Sequence, residues 1–229
     1  AAAAVMQGRS GGFKMSEQKI KVMIVDDEEN TRSLLRICLD WAAVGCEIVQ
    51  EADSGQEALD LLGENEVDIL ITDIKMPFMD GLELSRRVAE EYPDIKIIML
   101  TAYEIFEYAR EGIRMGVADY IVKPVRRDAL RQSVCKVRDS ILEKRNLLKA
   151  QQEYQERVDE CMEEICKAVK AGKEEQAYGY INSMFKCYQG DSALEINAAR
   201  MDTVNCITRL MRLVCDYGFD ISQFFKTSS

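Results

Sequence analysis

The feature that most limits how this chain can fold is an alternation in its first half. Five short apolar runs occupy residues 20–25 (IKVMIV), 47–52 (EIVQEA), 68–72 (DILIT), 95–100 (IKIIML) and 118–122 (ADYIV). Three of them are nearly continuous in β-branched and aliphatic residues, as expected of strands covered on both faces. Amphipathic stretches with cap signals lie between them. Ser54 precedes GQEALDLL with Glu57 three residues on, a capping-box pattern. Asp80 precedes GLELSRRVAEEY, which Pro93 follows closely. Such an alternation predicts an α/β domain: a (βα)5 doubly wound parallel sheet with right-handed crossovers and helices on both faces.

From about Arg126 the strand signals stop. Leu130, Val134, Val137, Ile141, Leu148, Val158, Met162, Ile165 and Val169 share one 4-3 spacing, with Lys144, Gln151 and Gln155 at the remaining seam positions. This reads as one long helix, or two in register, with a coiled-coil-like face that weakens in its middle. The same stripe is compatible with a homodimer and with packing inside one chain. Gly172 is a plausible stop, and two further helices are expected near 174–188 and from Ser192 to about 217. The organisation expected is therefore a leader over 1–15, an α/β domain over 16–140 and an all-α region over 141–229. The leader, AAAAVMQGRSGGFK, reads as vector-derived or disordered, with Met15 as the native start.

The net charge of −10 argues against a chain whose main task is gripping phosphate backbones. No apolar run has the length of a membrane span, and the start lacks the layout of a secretion signal. The 8 cysteines form no C-x-x-C pair and fall mostly at apolar helical positions, so they read as reduced thiols of a cytoplasmic protein. There are 0 histidines. That removes imidazole metal sites and Ser-His or Cys-His catalysis, and any phosphoryl group handled here must come from another molecule.

The strand ends carry polar residues that a core does not need. Asp26 and Asp27 follow the first strand, Asp73 ends the third, Thr101 the fourth and Lys123-Pro124 the fifth. In an open parallel sheet all of these ends lie along one edge, where ligands bind. Singly, each has a bland explanation: helix caps, turn chemistry, β-propensity, surface punctuation. Jointly they compose a chemistry. Crowded carboxylates repel unless a cation sits among them, and hard oxygen ligands with room for water suit Mg²⁺. A carboxylate so held can act as a nucleophile toward phosphorus, with Lys123 and the Thr101 hydroxyl facing the phosphoryl oxygens. Pro77, in TDIKMPFMDG, stiffens the loop after Asp73.

Through IVDDEENTR, ITDIKMPFMDGLEL, IIMLTAYE and GVADYIVKPV, residues 18 to about 140 resemble the receiver domain of two-component response regulators. The resemblance implies a flavodoxin-like sheet of strand order 2-1-3-4-5 and a phosphoacceptor at Asp73. It implies a Mg²⁺ site of Asp26, Asp27, Asp73 and the Lys75 main-chain carbonyl, with Thr101 and Tyr120 as switch residues and Lys123 as the phosphate contact. It implies a cis Lys123-Pro124 bond, a sensor histidine kinase as partner docking near the first helix, and a relay rather than an enzyme. Lys75 and Tyr103 stand where the family tunes phosphoryl loss. The stretch LDWAAVGCEIVQEADSGQEAL is similar to receivers of AraC-type regulators. Residues 150–229 carry no helix-turn-helix pair, so DNA binding would need a further domain. Two rivals fit less well. DDEEN would repel an FMN phosphate, and a phosphatase with an Asp nucleophile would carry a second Asp where Lys75 stands. A receiver acting as a scaffold without phosphorylation is the remaining alternative.

Overall fold

The structure, a computed structural model, describes residues 19–102, 116–173, 175–177, 179–180, 208 and 212. Its strands are β1 (Ile20–Val25), β2 (Cys46–Ala52), β3 (Ile69–Asp73), β4 (Lys96–Thr101) and β5 (Val117–Val122). They pair in parallel in the order β2-β1-β3-β4-β5. Both the strand count and the flavodoxin-like order expected from the sequence are observed. Relative to the apolar runs, β3 and β4 each reach one residue further, so that Asp73 and Thr101 belong to the sheet.

Alternation along the strands divides the core in two. Val22, Ile24, Ile69, Ile71, Ile98 and Leu100 face one side, with Leu35 and Leu39 of the α1 (Glu29–Cys38) region. Met23, Val25, Leu70, Ile97 and Met99 face the other, against α2 (Gly55–Glu64) and α3 (Gly81–Glu91). A bulge in β5 interrupts the alternation. Ile97 pairs with Val117, but Ile98 pairs with Asp119, which leaves Ala118 as an extra residue. The shift sends Ile121 into the first layer and Tyr120, opposite Met99, into the second. Nothing in the sequence announced this.

The helix caps follow the sequence with one difference. Asp80 accepts from Glu83 N–H at 2.8 Å and starts α3. Ser54 accepts from Glu57 N–H, but the Glu57 carboxylate returns to the N–H of Asp53 rather than to that of Ser54. Trp41 closes the turn before β2: its indole N–H donates to Leu35 O at 3.2 Å, and Gly45 supplies the positive φ of 68°.

The fourth described helix, α4 (Arg127–Lys170), is continuous over 44 residues. Its seam serves separate ends. Leu130, Val134, Val137 and Ile141 complete the first layer of the sheet domain. Val158, Met162 and Ile165 form a cluster of their own with Tyr180. Lys144, Leu148, Gln151 and Gln155 are exposed. Two compact units divide the chain, Ala1–Arg145 and Asn146–Ser229. No described helix is long and apolar enough to cross a membrane. The leader, the helix expected after β4 with Tyr103, and nearly all of the two later helices lie outside the described residues.

Candidate functional site

The site grows from the carboxyl ends of β1, β3, β4 and β5. Asp26 directly follows β1 and is 0% exposed, whereas Asp27 beside it is exposed. Neither caps a helix. The N-cap of α1 is Glu28, which makes no side-chain capping bond, and the Glu28 N–H instead donates to Asp26 Oδ1 at 2.9 Å. The second Asp26 oxygen accepts from Lys123 Nζ at 2.9 Å. Its main chain is held as firmly: the N–H donates to Ala52 O at 3.2 Å, and the carbonyl accepts from an Arg32 guanidinium N–H at 2.7 Å.

Asp73 ends β3 with Oδ1 on the N–H of Ile74, 2.8 Å away, and Oδ2 paired with Lys123 Nζ at 2.9 Å. One ammonium therefore bridges the two carboxylates. Burial alone would lower the Lys123 pKa, but the hydrogen bonds and charges of Asp73 and Asp26 outweigh it and hold the group above its usual value. Burial also dominates at Asp26 and pushes its carboxyl up, although Lys123 and Glu28 pull the other way. The Lys123-Pro124 peptide is cis, as expected, and the Lys123 N–H donates to Thr101 O at 2.6 Å, tying β5 to β4 at the rim.

Carboxylate oxygens of Asp26, Asp27 and Asp73 all lie within 4.8 Å of one another. Asp27 and Asp73 border a pocket of about 290 Å³ that Lys75, Thr101 and Lys123 also line. Thr101 is buried, Lys75 exposed, and Tyr120 partly buried, which raises its phenol pKa. The sheet thus assembles Asp26, Asp27, Asp73, Thr101 and Lys123 in one place, with Lys75 at the mouth and Tyr120 in the same layer as its strand neighbour Met99. Hard oxygen donors of this kind, with one side open, match what a small divalent cation requires.

The loop after Asp73 is clamped at several points. Thr72 Oγ1 donates to Asp73 O at 3.0 Å, and the Gly81 N–H donates to Ile74 O at 2.9 Å. Buried Ser85 donates to Gly81 O at 2.6 Å. Met79 lies over Gly55, where an added Cβ would meet its Cγ at 2.8 Å. Between these anchors Phe78 is fully exposed at a positive φ of 65°.

The response regulator receiver domain family matches residues 22–135. The receiver domain of AraT from Geobacillus stearothermophilus is 40% identical, with a TM-score of 0.52, over 55% of this chain and 98% of that one. The chain belongs to the response regulator receiver family. A two-component transcriptional regulator AraC of Clostridium phytofermentans is 29% identical with a TM-score of 0.51, over 55% of this chain and 97% of that one. The transcriptional regulatory protein YesN of Bacillus subtilis is 36% identical over 45% of this chain and 28% of its own length. HptR of Staphylococcus aureus is 37% identical over 46% of this chain and 41% of its own. The matched part is the receiver domain, and the chain spans well under half the length of these two regulators.

Three contributions to the site were not read from the sequence: the Glu28 N–H, Arg32 and Gly81. Arg32 stands four residues beyond Glu28, one helical turn into α1, which was a usable signal. A glycine directly after the cap Asp80 was another, since a helix start has no need of one unless backbone approaches closely.

Proposed function

We propose that this receiver domain accepts a phosphoryl group on Asp73 from a sensor histidine kinase and relays the change to its helical region, within a cytoplasmic protein that regulates transcription. The observation that carries this is the position of Asp73. Its carboxylate ends a central strand, is aimed by its neighbour's N–H, and shares Lys123 with buried Asp26 at the wall of an open pocket.

Asp26, Asp27, Asp73 and the Lys75 main-chain carbonyl would hold Mg²⁺, which when bound offsets the crowded negative charge of the carboxylates and of an incoming phosphoryl group. A carboxylate oxygen of Asp73 bonds to phosphorus as the donor's P–N bond breaks, and the histidine nitrogen takes up a proton. Lys123, already poised between two acids, contacts the new phosphoryl oxygens as a point charge. The Thr101 hydroxyl hydrogen-bonds one of them, and Tyr120 follows into the space that Thr101 leaves. A shift from mostly off to mostly on needs roughly 5.5 kcal/mol of preference between states. A doubly charged group against Lys123 is of the right size for that.

The domain acts as a relay rather than as a turnover enzyme. The transcriptional role rests on the names of YesN, HptR and the AraC regulator, and contact with DNA would belong to a further domain. Pairing of two chains along α4 would use seam residues beyond Ile141, because Leu130, Val134, Val137 and Ile141 are spent in the receiver core. Light scattering with and without beryllofluoride tests it: a monomer under both conditions removes the pairing. For the relay itself, radiolabel from a phosphorylated kinase should appear on wild type and not on Asp73→Asn. A scaffold would bind its partner equally well in both.

A further inference from the structure

The acidic pair that follows β1 depends on one peptide plane. Asp26 and Asp27 are consecutive, so the orientation of the peptide joining them decides where both carboxylates point. Its carbonyl oxygen, on Asp26, accepts from an Arg32 guanidinium N–H at 2.7 Å. Arg32 is largely enclosed, with a side chain only 13% exposed, and it has further partners. It pairs with Glu29 on its own helix and reaches Glu51 near the end of β2 at 3.8 Å. Glu51 precedes Ala52, whose carbonyl takes the Asp26 N–H. Arg32 thus holds this peptide from α1, while β2 holds the peptide before it through Ala52. A cation as strong as arginine on a main-chain carbonyl is more than a helix start needs, and its cost in ordered side-chain freedom calls for a return.

We propose that Arg32 is a positioning residue for the divalent-cation site. By holding the Asp26 carbonyl it keeps the Asp26 and Asp27 carboxylates turned toward Asp73, as outer partners orient metal-binding carboxylates elsewhere. Arg32 touches neither phosphoryl group nor cation. The inference rests on the reading that Asp26, Asp27 and Asp73 hold Mg²⁺.

The structure supplies its own control. Arg36, one turn further along α1, pairs with the same Glu29 and Glu51, at 3.9 and 2.7 Å. Its described bonds do not include Asp26. Removing Arg36 therefore changes the same local charge without releasing the peptide.

Calorimetric titration of the full chain with Mg²⁺ alone tests the proposal. Arg32→Met should weaken binding about tenfold or more. Arg32→Lys, which can still donate to the carbonyl, should recover at least half of that loss on a logarithmic scale. Arg36→Met should stay within about twofold of wild type. With acetyl phosphate as donor, the Mg²⁺ concentration for half-maximal phosphorylation should rise for Arg32→Met while the rate at saturating Mg²⁺ holds within about twofold. A merely structural arginine would lower stability and leave this split unmoved. Should Arg32→Met fail to fold, Arg32→Gln serves in its place with the same expectation. Unchanged affinity in the Arg32 variant, or an equal loss in Arg36→Met, overturns the proposal alone. A wild type that binds no Mg²⁺ overturns the cation site itself, and this inference with it.

Discussion

Gly81 sits against Asp73 so closely that a Cβ on the glycine would lie 2.0 Å from the Asp73 carbonyl oxygen and 2.9 Å from its carbonyl carbon. The obstructing atoms are backbone, so no side-chain rotation relieves the overlap. The same glycine N–H donates to Ile74 O, which closes the loop that leaves β3. Gly81→Ala must therefore move either the start of α3 or the end of β3. The expected result is a loss of roughly 2–3 kcal/mol in urea unfolding, in the upper range for overpacking, together with slower phosphorylation from acetyl phosphate. A variant of wild-type stability and rate would show that the loop accommodates the methyl group.

Crowding of carboxylates around one lysine predicts a response to cations. Asp26, Asp27 and Asp73 place oxygens within 4.8 Å of each other, and only Lys123 is described between Asp26 and Asp73. An ion that binds the folded state alone adds about 2.7 kcal/mol at a hundred times its dissociation constant. For a domain of this size that corresponds to a rise of several degrees in Tm. Differential scanning calorimetry with and without Mg²⁺ should show this rise in wild type and little or none in Asp26→Asn. Equal rises in the two proteins would place the cation elsewhere.

Cys46 provides a pH test away from the site. Burial pushes its thiol from 9.0 up to about 11. A raised folded-state value means that the folded protein holds the proton more tightly than the unfolded chain does. The associated stability is complete below pH 9 and is lost as pH rises through 11, a difference on the order of 2–3 kcal/mol. Urea unfolding at pH 8 and at pH 11 should show a steeper decline for wild type than for Cys46→Ala. Parallel declines would mean that the thiol ionises as easily when folded.

Much of this arrangement was legible in the sequence, for a physical reason. Strands covered on both faces must be apolar almost throughout, so Asp73, Thr101 and Lys123 at their ends stood out against Ile69 to Ile71, Ile97 to Leu100 and Ile121. The parallel topology then required them to share an edge. What stayed hidden was main-chain detail. The bulge at Ala118, which decides that Tyr120 and not Ile121 shares a layer with Met99, depends on pairing that no single strand encodes. The Arg32 bond to the Asp26 carbonyl is likewise a main-chain contact that residue types alone do not single out. The α4 seam was legible as a face that weakens in its middle, but not what covers its ends: Ile141 is buried in the sheet domain, Leu148 is exposed, and Val158 packs in another cluster. Periodicity reports which residues share a helix face and says nothing of what covers it.

The central claim is that Asp73 is the reacting carboxylate. Its most direct test is to treat wild type and Asp73→Asn with acetyl phosphate and Mg²⁺, and to locate the acyl phosphate by mass spectrometry as the homoserine that borohydride reduction leaves in its place. The account predicts one phosphoryl group on Asp73 in wild type, labile to acid, base and hydroxylamine as an acyl phosphate is, and none in the variant. Label that persists in Asp73→Asn, or that maps to Asp26 or Asp27 in wild type, would contradict it.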